Sequence, residues 1–538
     1  MLQQFDATIE IGRPKKPIDP FGARHASLLP PTDWFYRFGT GPRVAPAFNT
    51  ILDGFLHFAA RQPDAVAVEA AGQSITYGQL NAQSSKLAHQ LHLHGVEHGD
   101  AICLFLKRSI PMVVGILAAM KVGAAYVPQH VGVATDKMLR HISTVTNAKV
   151  VLTLAALQDA IPVLDGQVCL SVDDIMSEQG APSLLPPSPV MPDDVAILLF
   201  TSGTTGTPNG VQVTHKNLCN ILLTAPGDLG MRPGLRVGQI LSIAFDMAAW
   251  ETLGALANGA TLVVRGRNIQ ETACRVDVLI ATPSILATLD THECRHVKTV
   301  AVAGEPCPRP LADAWASFCV FYNSCGPTET TIINTAIQHS PNKADLTIGK
   351  PTPNNTVYIL DDNLRPLPFG EKGEMWAGGD CVTAGYLANP ELNADRYRDD
   401  PYRPGHKMFR TRDLGRWTIT GELRHCGRVD DLVKICGFRV ELDGVSRALE
   451  ATPGCNQAVT LKFDDRTLVA FVSPASTDPA QAMQQVADML PYYCVPALVM
   501  PMDSLPKTAR GKLDKRQLLE LAKQALAVDG TWSKEGGL

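Results

Sequence analysis

Between Thr201 and Gly210 the chain reads Thr-Ser-Gly-Thr-Thr-Gly-Thr-Pro-Asn-Gly, directly after the apolar run at 195–200. Glycines let successive backbone N–H groups converge on an anion with no Cβ in the way, and hydroxyls add donors that a triphosphate can use. On composition alone the run reads either as a phosphate cradle or as a polar surface loop. A Walker loop would need Gly-x-x-x-x-Gly-Lys followed by Ser or Thr, a spacing that occurs nowhere in the chain. Gly-x-Gly-x-x-Gly after a strand is also missing, so dinucleotide binding has no support.

The elements around this loop alternate. Thr76 can cap a helix that carries Leu80, Leu87 and Leu91 on one face. Residues 101–106 read as a buried strand and 110–121 as the helix after it. Further short apolar strands are expected at 149–153, 195–200, 261–264, 276–280 and 297–302. Short apolar strands between helices imply largely parallel sheets covered on both faces, an α/β fold. Residues 177–194 read as a surface loop. Residues 1–48 are rich in proline and turn formers, with Trp34, Phe35 and Tyr36 as the one dense apolar spot, and read as a connecting arm that docks elsewhere. Near Gly427 the character changes, and about 110 residues remain, enough for one small α+β unit. The expected division is an arm at 1–48, a multi-lobed core at 49–428 and a small unit at 429–538.

At 538 residues, two or three structural units are expected. Hydrophobic content of 45% and charged content of 19% suit a globular chain, and a net charge of −5 gives no reason to expect nucleic acid or an anionic membrane. No two of the thirteen cysteines are spaced as Cys-x-x-Cys, which argues against a metal cage and for a reducing cytosol. The N-terminus lacks a basic region followed by an apolar stretch, so no secretory signal is expected. The most apolar run, 112–127, is broken by Lys121 and reads as buried helix and strand rather than a membrane span.

Thr-Ser-Gly-Thr-Thr-Gly-x-Pro closely resembles the signature of the adenylate-forming superfamily: acyl-CoA synthetases, luciferases and the adenylation domains of nonribosomal peptide synthetases. Other motifs of that superfamily follow in order from residue 51 to about 516. They include Met120-Lys-Val-Gly-Ala-Ala-Tyr-Val-Pro128, Phe245-Asp246, Asn323-Ser-Cys-Gly-Pro-Thr-Glu329, Gly385-Tyr386, Thr411-Arg-Asp-Leu414, Gly427-Arg-Val-Asp430 and Gly511-Lys512. The resemblance implies a large multi-lobed N-terminal domain and a small, mobile α+β C-terminal lid. It implies ATP and Mg²⁺ as cofactors, with a partner's phosphopantetheine as acyl acceptor.

Roles carried over by the resemblance are as follows. Thr201, Ser202, Gly203, Thr204, Thr205 and Gly206 would cradle the phosphates, and Glu329 beside Thr328 would ligate Mg²⁺, a hard cation that prefers carboxylate oxygen. Asp413 would accept both ribose hydroxyls and Arg428 would touch phosphate or ribose. Asn323 and the Gly304-Glu305 backbone would lie against the adenine, with Asp430 as the hinge. Lys512, an ordinary surface lysine by itself, resembles the catalytic lysine that meets a carboxylate attacking an anionic phosphorus.

Four positions depart from the pattern. Asn209 stands where the loop usually has lysine, Cys325 replaces an aromatic, Arg412 replaces glycine beside Asp413, and Cys436 replaces arginine. A degenerate, non-catalytic domain is therefore an alternative, although Thr204, Thr205, Glu329, Asp413, Arg428 and Lys512 all survive. Weaker ATP binding than in relatives is the expectation.

An aspartate at position 246 resembles the residue that peptide-synthetase adenylation domains use to pair with a substrate α-ammonium, which favours an α-amino acid over an aryl or acyl acid. The aligned pocket comprises Asp246, Met247, Trp250, Ala281, Ala301, Ala303, Ser324, Ile332, Ile333 and Lys512. Three alanines, a serine and no further charge to neutralise a Lys-like or Glu-like side chain imply a large uncharged side chain, such as tryptophan or an Nδ-acyl-Nδ-hydroxyornithine of ferrichrome-type siderophores. The chain is expected to be either a free-standing activating enzyme or one domain of a larger synthetase, with a peptidyl carrier protein or domain and, in the second case, a condensation domain as partners. Nothing calls for an oligomer.

Overall fold

A computed structural model of the chain describes residues 33–178, 190–201, 208–343, 345–429, 432–506 and 513–528. Two large sheets dominate. In the first the strands run in the order Val168–Ser171, Val150–Thr153, Ala101–Leu106, Ala125–His130, Val195–Thr201 and Asn209–Thr214, parallel except for the last pair. In the second, Val320–Cys325, Thr299–Val302, Val278–Ala281, Arg236–Gln239, Thr261–Val264 and Val66–Ala70 are parallel neighbours, with antiparallel strands at both edges. Every residue of Ala101–Leu106 is buried, as a strand covered on both faces must be.

Two helices without a polar face join these sheets. Ile110–Lys121 buries Met112 through Met120 without a break, and Asp246–Ala257 buries Met247 through Ala257. Such helices persist only when covered all round. Here side chains from both sheets and both helices merge into one core. The helix from Tyr77 starts where expected, with Thr76 and Gln79 forming a reciprocal capping box.

A third sheet, built from Asn355–Leu360, Gly373–Gly379, Lys407–Trp417, Tyr397–Asp399 and Leu423–Arg428, is antiparallel throughout. The aromatic spot in the N-terminal arm docks here. Phe35, on the short helix Asp33–Gly39, is buried with its ring stacked on Tyr358 at 5.2 Å, and Trp34 meets Phe369 edge-on at 5.4 Å.

After residue 431 come the hairpin Leu432–Ile435/Phe438–Glu441, a three-stranded sheet (Gln457–Lys462, Leu468–Ser473, Leu498–Pro501) and three helices. Two hydrophobic cores in this region draw only on residues beyond 432, so the C-terminal α+β unit has an interior of its own. The architecture is α/β with a smaller C-terminal region, as the sequence implied. Among the described residues no helix is long and apolar enough to cross a membrane.

Candidate functional site

The strand Val320–Cys325 leaves its sheet through Gly326-Pro327 into the one-turn 3₁₀ helix Thr328–Thr330. A Cβ on Gly326 would sit 2.6 Å from the Ile333 Cα, so only glycine lets the chain fold back this tightly. Thr331 and Ile332 follow in the left-handed region, at φ 53° and 70°. For a β-branched residue that is strained backbone, worth about 1–3 kcal/mol, held by the surrounding structure. The turn delivers Glu329 to a fully buried position. One carboxylate oxygen accepts the Tyr386 hydroxyl at 2.6 Å and the other the Arg439 guanidinium at 2.9 Å. Burial works to raise this carboxyl, but Arg439, Arg396 and Tyr386 together outweigh it and hold it at about 2.

Arg439 comes from the C-terminal unit, 110 residues away in sequence. Its hairpin turns at Cys436-Gly437, both at positive φ (49° and 85°), the requirement of a tight two-residue turn of the primed type. The turn docks on the large unit, where a Cβ on Gly437 would lie 2.9 Å from the Thr282 methyl. Lys434 stands directly opposite Arg439 across the hairpin. Its ammonium reaches to 3.7 Å from where a Cβ on Gly304 would be. Burial lowers its pKa against the pull of Asp246. Asp246 opens the helix Asp246–Ala257, and its carboxylate accepts the Met247 N–H at 2.7 Å. Burial raises its pKa, offset chiefly by the Thr328 hydroxyl and Lys434.

Asp413 lies on Lys407–Trp417 opposite Arg428, which it holds at 2.6 Å, with His425 at 3.3 Å. Burial raises the Asp413 carboxyl, yet His425 and Arg428 leave it below the ordinary range. Cys325 sits among Asp413, Lys434 and Arg428, and burial pushes its thiol up to about 12. Asn323 is buried with its amide donating to the Thr347 carbonyl at 2.7 Å. The Glu305 carboxylate accepts the Ser284 N–H at 2.8 Å. Thr201 pairs with Asn209 where the two strands flanking the glycine–threonine run meet. Ser202, Gly203, Thr204, Thr205 and Gly206, the hinge Asp430 and Lys512 lie outside the described residues.

Two cavities open between the large unit and the C-terminal unit. One is lined by Thr201, Phe245, Asp246, Thr328, Arg439 and Tyr493, among others. The second, more polar, is lined by Thr201, Asn209, Glu329, Tyr386, Asp395, Arg396, Arg412 and Arg439 together with Glu441 and Asp443.

The sequence profile of the AMP-binding enzyme family matches residues 55–387. The chain belongs to that family. Adenylate-forming reductase 06235 of Coprinopsis cinerea is 43% identical over 497 residues, covering 91% of this chain and 48% of that protein. Nonribosomal peptide synthetase 5 of Aspergillus fumigatus is 34% identical over 462 residues, 85% of this chain and 21% of that protein. This chain therefore spans about half, or less, of the curated relatives it matches. An artificially fused adenylation–PCP di-domain synthetase from Klebsiella oxytoca shares the fold, with TM-score 0.75 and 24% identity over 90% of this chain and 97% of that one.

The residues that the resemblance aligned as a substrate pocket are closed off. Met247, Trp250, Ala281, Ala301, Ala303, Ser324, Ile332 and Ile333 are all buried. Among the described residues of the aligned set, only Asp246 lines either of the two cavities above. Trp250 donates its indole N–H to the Gly227 carbonyl at 2.6 Å. The next residue, Glu251, accepts the Ile240 and Leu241 N–H groups at 2.8 and 3.2 Å, and burial pushes its carboxyl up to about 8.

The departures from the AMP-binding pattern fall at informative places. Arg412 occupies a left-handed conformation at φ 61°, natural for glycine and costing about 1–2 kcal/mol for arginine. Its guanidinium holds Asp395 at 3.2 Å. Asn209 pairs with Asn389 at 3.0 Å. Cys436 takes the first left-handed position of the hairpin turn and is exposed.

Lys434, Arg439 and Arg396 carry no role in the motif reading, and Tyr386 appears there only as part of a motif. A signal for the first two was present. Two cations placed directly opposite each other on an antiparallel hairpin repel, unless that face meets carboxylates.

Proposed function

We propose that this chain activates an α-amino acid with a large uncharged side chain, forming aminoacyl-AMP and pyrophosphate from ATP, and then passes the acyl group to a carrier's phosphopantetheine thiol. The observation that carries the proposal is the convergence of Asp246, Glu329, Asp413 and the Asp413-bound Arg428 around one charged hairpin, in a chain of the AMP-binding family. Asp413 would hold the ribose, Arg428 the phosphate side, and Thr201 through Gly206 the triphosphate. Lys512 would meet the reacting carboxylate, and Asn323 and the Gly304-Glu305 backbone would border the adenine. Glu329 offers two carboxylate oxygens of the kind Mg²⁺ prefers once Arg439 withdraws. Bound there, the ion would offset triphosphate charge. A buried carboxylate at 246 is costly unless a cation meets it. Lys434 approaches it here, and the substrate ammonium would take that place during activation.

The core at 49–428 and the unit at 429–538 would act as body and lid, turning near Asp430. With Arg439 on Glu329, the lid occupies the metal ligand, which suits the step after pyrophosphate has left. The cavity reaching Asp246 and Thr328 would then admit the pantetheine arm.

The test is pyrophosphate exchange with a panel of amino acids, including tryptophan and hydroxamate ornithines, beside aryl and fatty acids. Wild type is expected to exchange with an amino acid, and Asp246→Asn to lose about a hundredfold in kcat/KM, the size of a buried charge pair. Activity confined to acids without an α-amine would refute the role of Asp246. Exchange with no acid by a folded protein would favour a degenerate nucleotide-binding domain.

The relatives named adenylate-forming reductases favour a second reading of the product's fate. In it, a longer protein containing this chain reduces the thioester instead of condensing it. Aldehyde or alcohol release by such a protein would establish this reading, and peptide release the first.

A further inference from the structure

The polar cavity beside Glu329 gathers two of the departures from the family pattern on one wall. Asn209, where a lysine is expected, and Arg412, where a glycine is expected, both line it. One position has lost a cation and the other has gained one. Asn209 ends the strand pair that flanks the glycine–threonine run, directly across from Thr201. Arg412 precedes Asp413, the residue that would hold the ribose.

Neither guanidinium on this wall is saturated. Arg396 is 7% exposed, and among the described residues its side chain makes no hydrogen bond; its Nε is buried without an acceptor. Arg412 gives Nη2 to Asp395, while its Nε is likewise buried without one. Buried donors without acceptors are expensive, and an anion with several oxygens relieves them. Glu441 and Asp443 reach the cavity from the C-terminal unit. Among the described lining residues of the large unit, Asp395 and Glu329, the proposed metal ligand, are the only acids beside Arg396 and Arg412, and the Arg396 guanidinium also lies over the Phe409 ring at 5.3 Å. Arg412 also keeps the left-handed backbone that glycine would take without strain.

We propose that Arg412, backed by Arg396, is a pyrophosphate-binding residue of this chain: its guanidinium meets the β- and γ-phosphates of ATP in place of the lysine missing at 209. The proposal rests on the adenylation reading above and extends it to the leaving group. A planar guanidinium can bind phosphate oxygens in pairs, a contact that a neutral asparagine amide does not replace.

The test uses the full chain and the variants Arg412→Gly, Arg412→Met and Asn209→Lys/Arg412→Gly. Two measurements are made: titration of magnesium pyrophosphate by calorimetry, and the ATP dependence of pyrophosphate exchange. Both single variants should raise the Kd for magnesium pyrophosphate and the KM for ATP about tenfold, with a smaller change in kcat. Arg412→Gly should melt no lower than wild type, because glycine accepts the φ of 61°. The double variant should recover most of the loss. If both single variants keep both constants within twofold of wild type, or if the lysine restores nothing to Arg412→Gly, the proposal is overturned. A wild type that exchanges with no acid would refute the adenylation reading, while the pyrophosphate titration would still decide the role of Arg412.

Discussion

Replacing Arg439 by methionine removes the cation that pairs with Glu329 while keeping most of the side chain's bulk. Glu329 is fully buried, and its carboxyl is lowered from an ordinary 4.5 to about 2. At about 1.4 kcal/mol per pKa unit, that lowering corresponds to about 3 kcal/mol of stabilisation of the charged form. Arg439 is the largest of the groups that lower it, ahead of Arg396 and Tyr386, so a loss on the order of 2–3 kcal/mol is expected on removing it. Truncating one partner of a buried charge pair costs about 3–5 kcal/mol when the other charge is stranded, which brackets the loss from above. Because Arg439 sits on the C-terminal hairpin and Glu329 on the large unit, the loss falls on hairpin docking. Hydrogen exchange in peptides covering 432–441 should therefore quicken at neutral pH by a factor of roughly 30 to several hundred. The effect has a pH window. A carboxyl whose folded pKa is depressed stabilises above its unfolded value and loses that contribution as pH falls toward the folded one. The difference between wild type and Arg439→Met in denaturant resistance should thus be full above pH 4.5 and fade toward pH 2. Unchanged hairpin exchange at pH 7, or a difference that persists undiminished at the acid end, would refute the reasoning.

Two further perturbations probe other parts of the molecule. Gly437→Ala would place a Cβ 2.9 Å from the Thr282 methyl at a φ of 85°, so hairpin peptides should exchange about tenfold faster and transfer to a carrier thiol should slow, while peptides of the parallel sheets stay protected. His215 is buried and its pKa is lowered by that burial to about 4, so the unfolded chain binds an extra proton between pH 6.5 and 4 and stability falls as pH drops through that range. His215→Gln should flatten that part of the acid-stability curve by up to about 3 kcal/mol, measured by denaturant midpoints from pH 7 to 4; an unchanged slope would show that other groups set it.

The parallel sheets were legible because local pattern and burial coincide. The apolar run at 101–106 became a strand with every residue covered, and the helix at 110–121 has the bounds its composition implied. The strand expected at 276–280 starts two residues later, as Val278–Ala281, and the Asp277 carboxylate just before it binds the Arg236 N–H and Lys298. The antiparallel third sheet was not foreseen. Its strands, such as Lys407–Trp417, alternate buried and partly open residues amid charges and lack a continuous apolar signal. At the site, the family resemblance pointed to Glu329, Asp413 and Arg428, and the last two are paired across one hairpin. It did not lead to Arg439 or Arg396. Arg439 meets Glu329 through the docking of two independently cored units, and Arg396 reaches it from the helix Pro390–Arg396 of the large unit, far along the chain; no local spacing encodes either.

The helix beginning at Asp246 has a consequence for how this protein could change its substrate. Within six residues it carries the proposed ammonium receptor, a tryptophan tied to the Gly227 carbonyl, and Glu251, which staples the end of Arg236–Gln239. On the proposed pocket reading, a mutation at 247 or 250 would retune selectivity and loosen that staple together. Ala281 ends its strand, Ala301 lies inside the next strand and Ala303 just past it, all held by backbone ladders. Directed evolution toward a new acid should therefore accumulate its tolerated changes at the alanines, and find the helix nearly closed to variation.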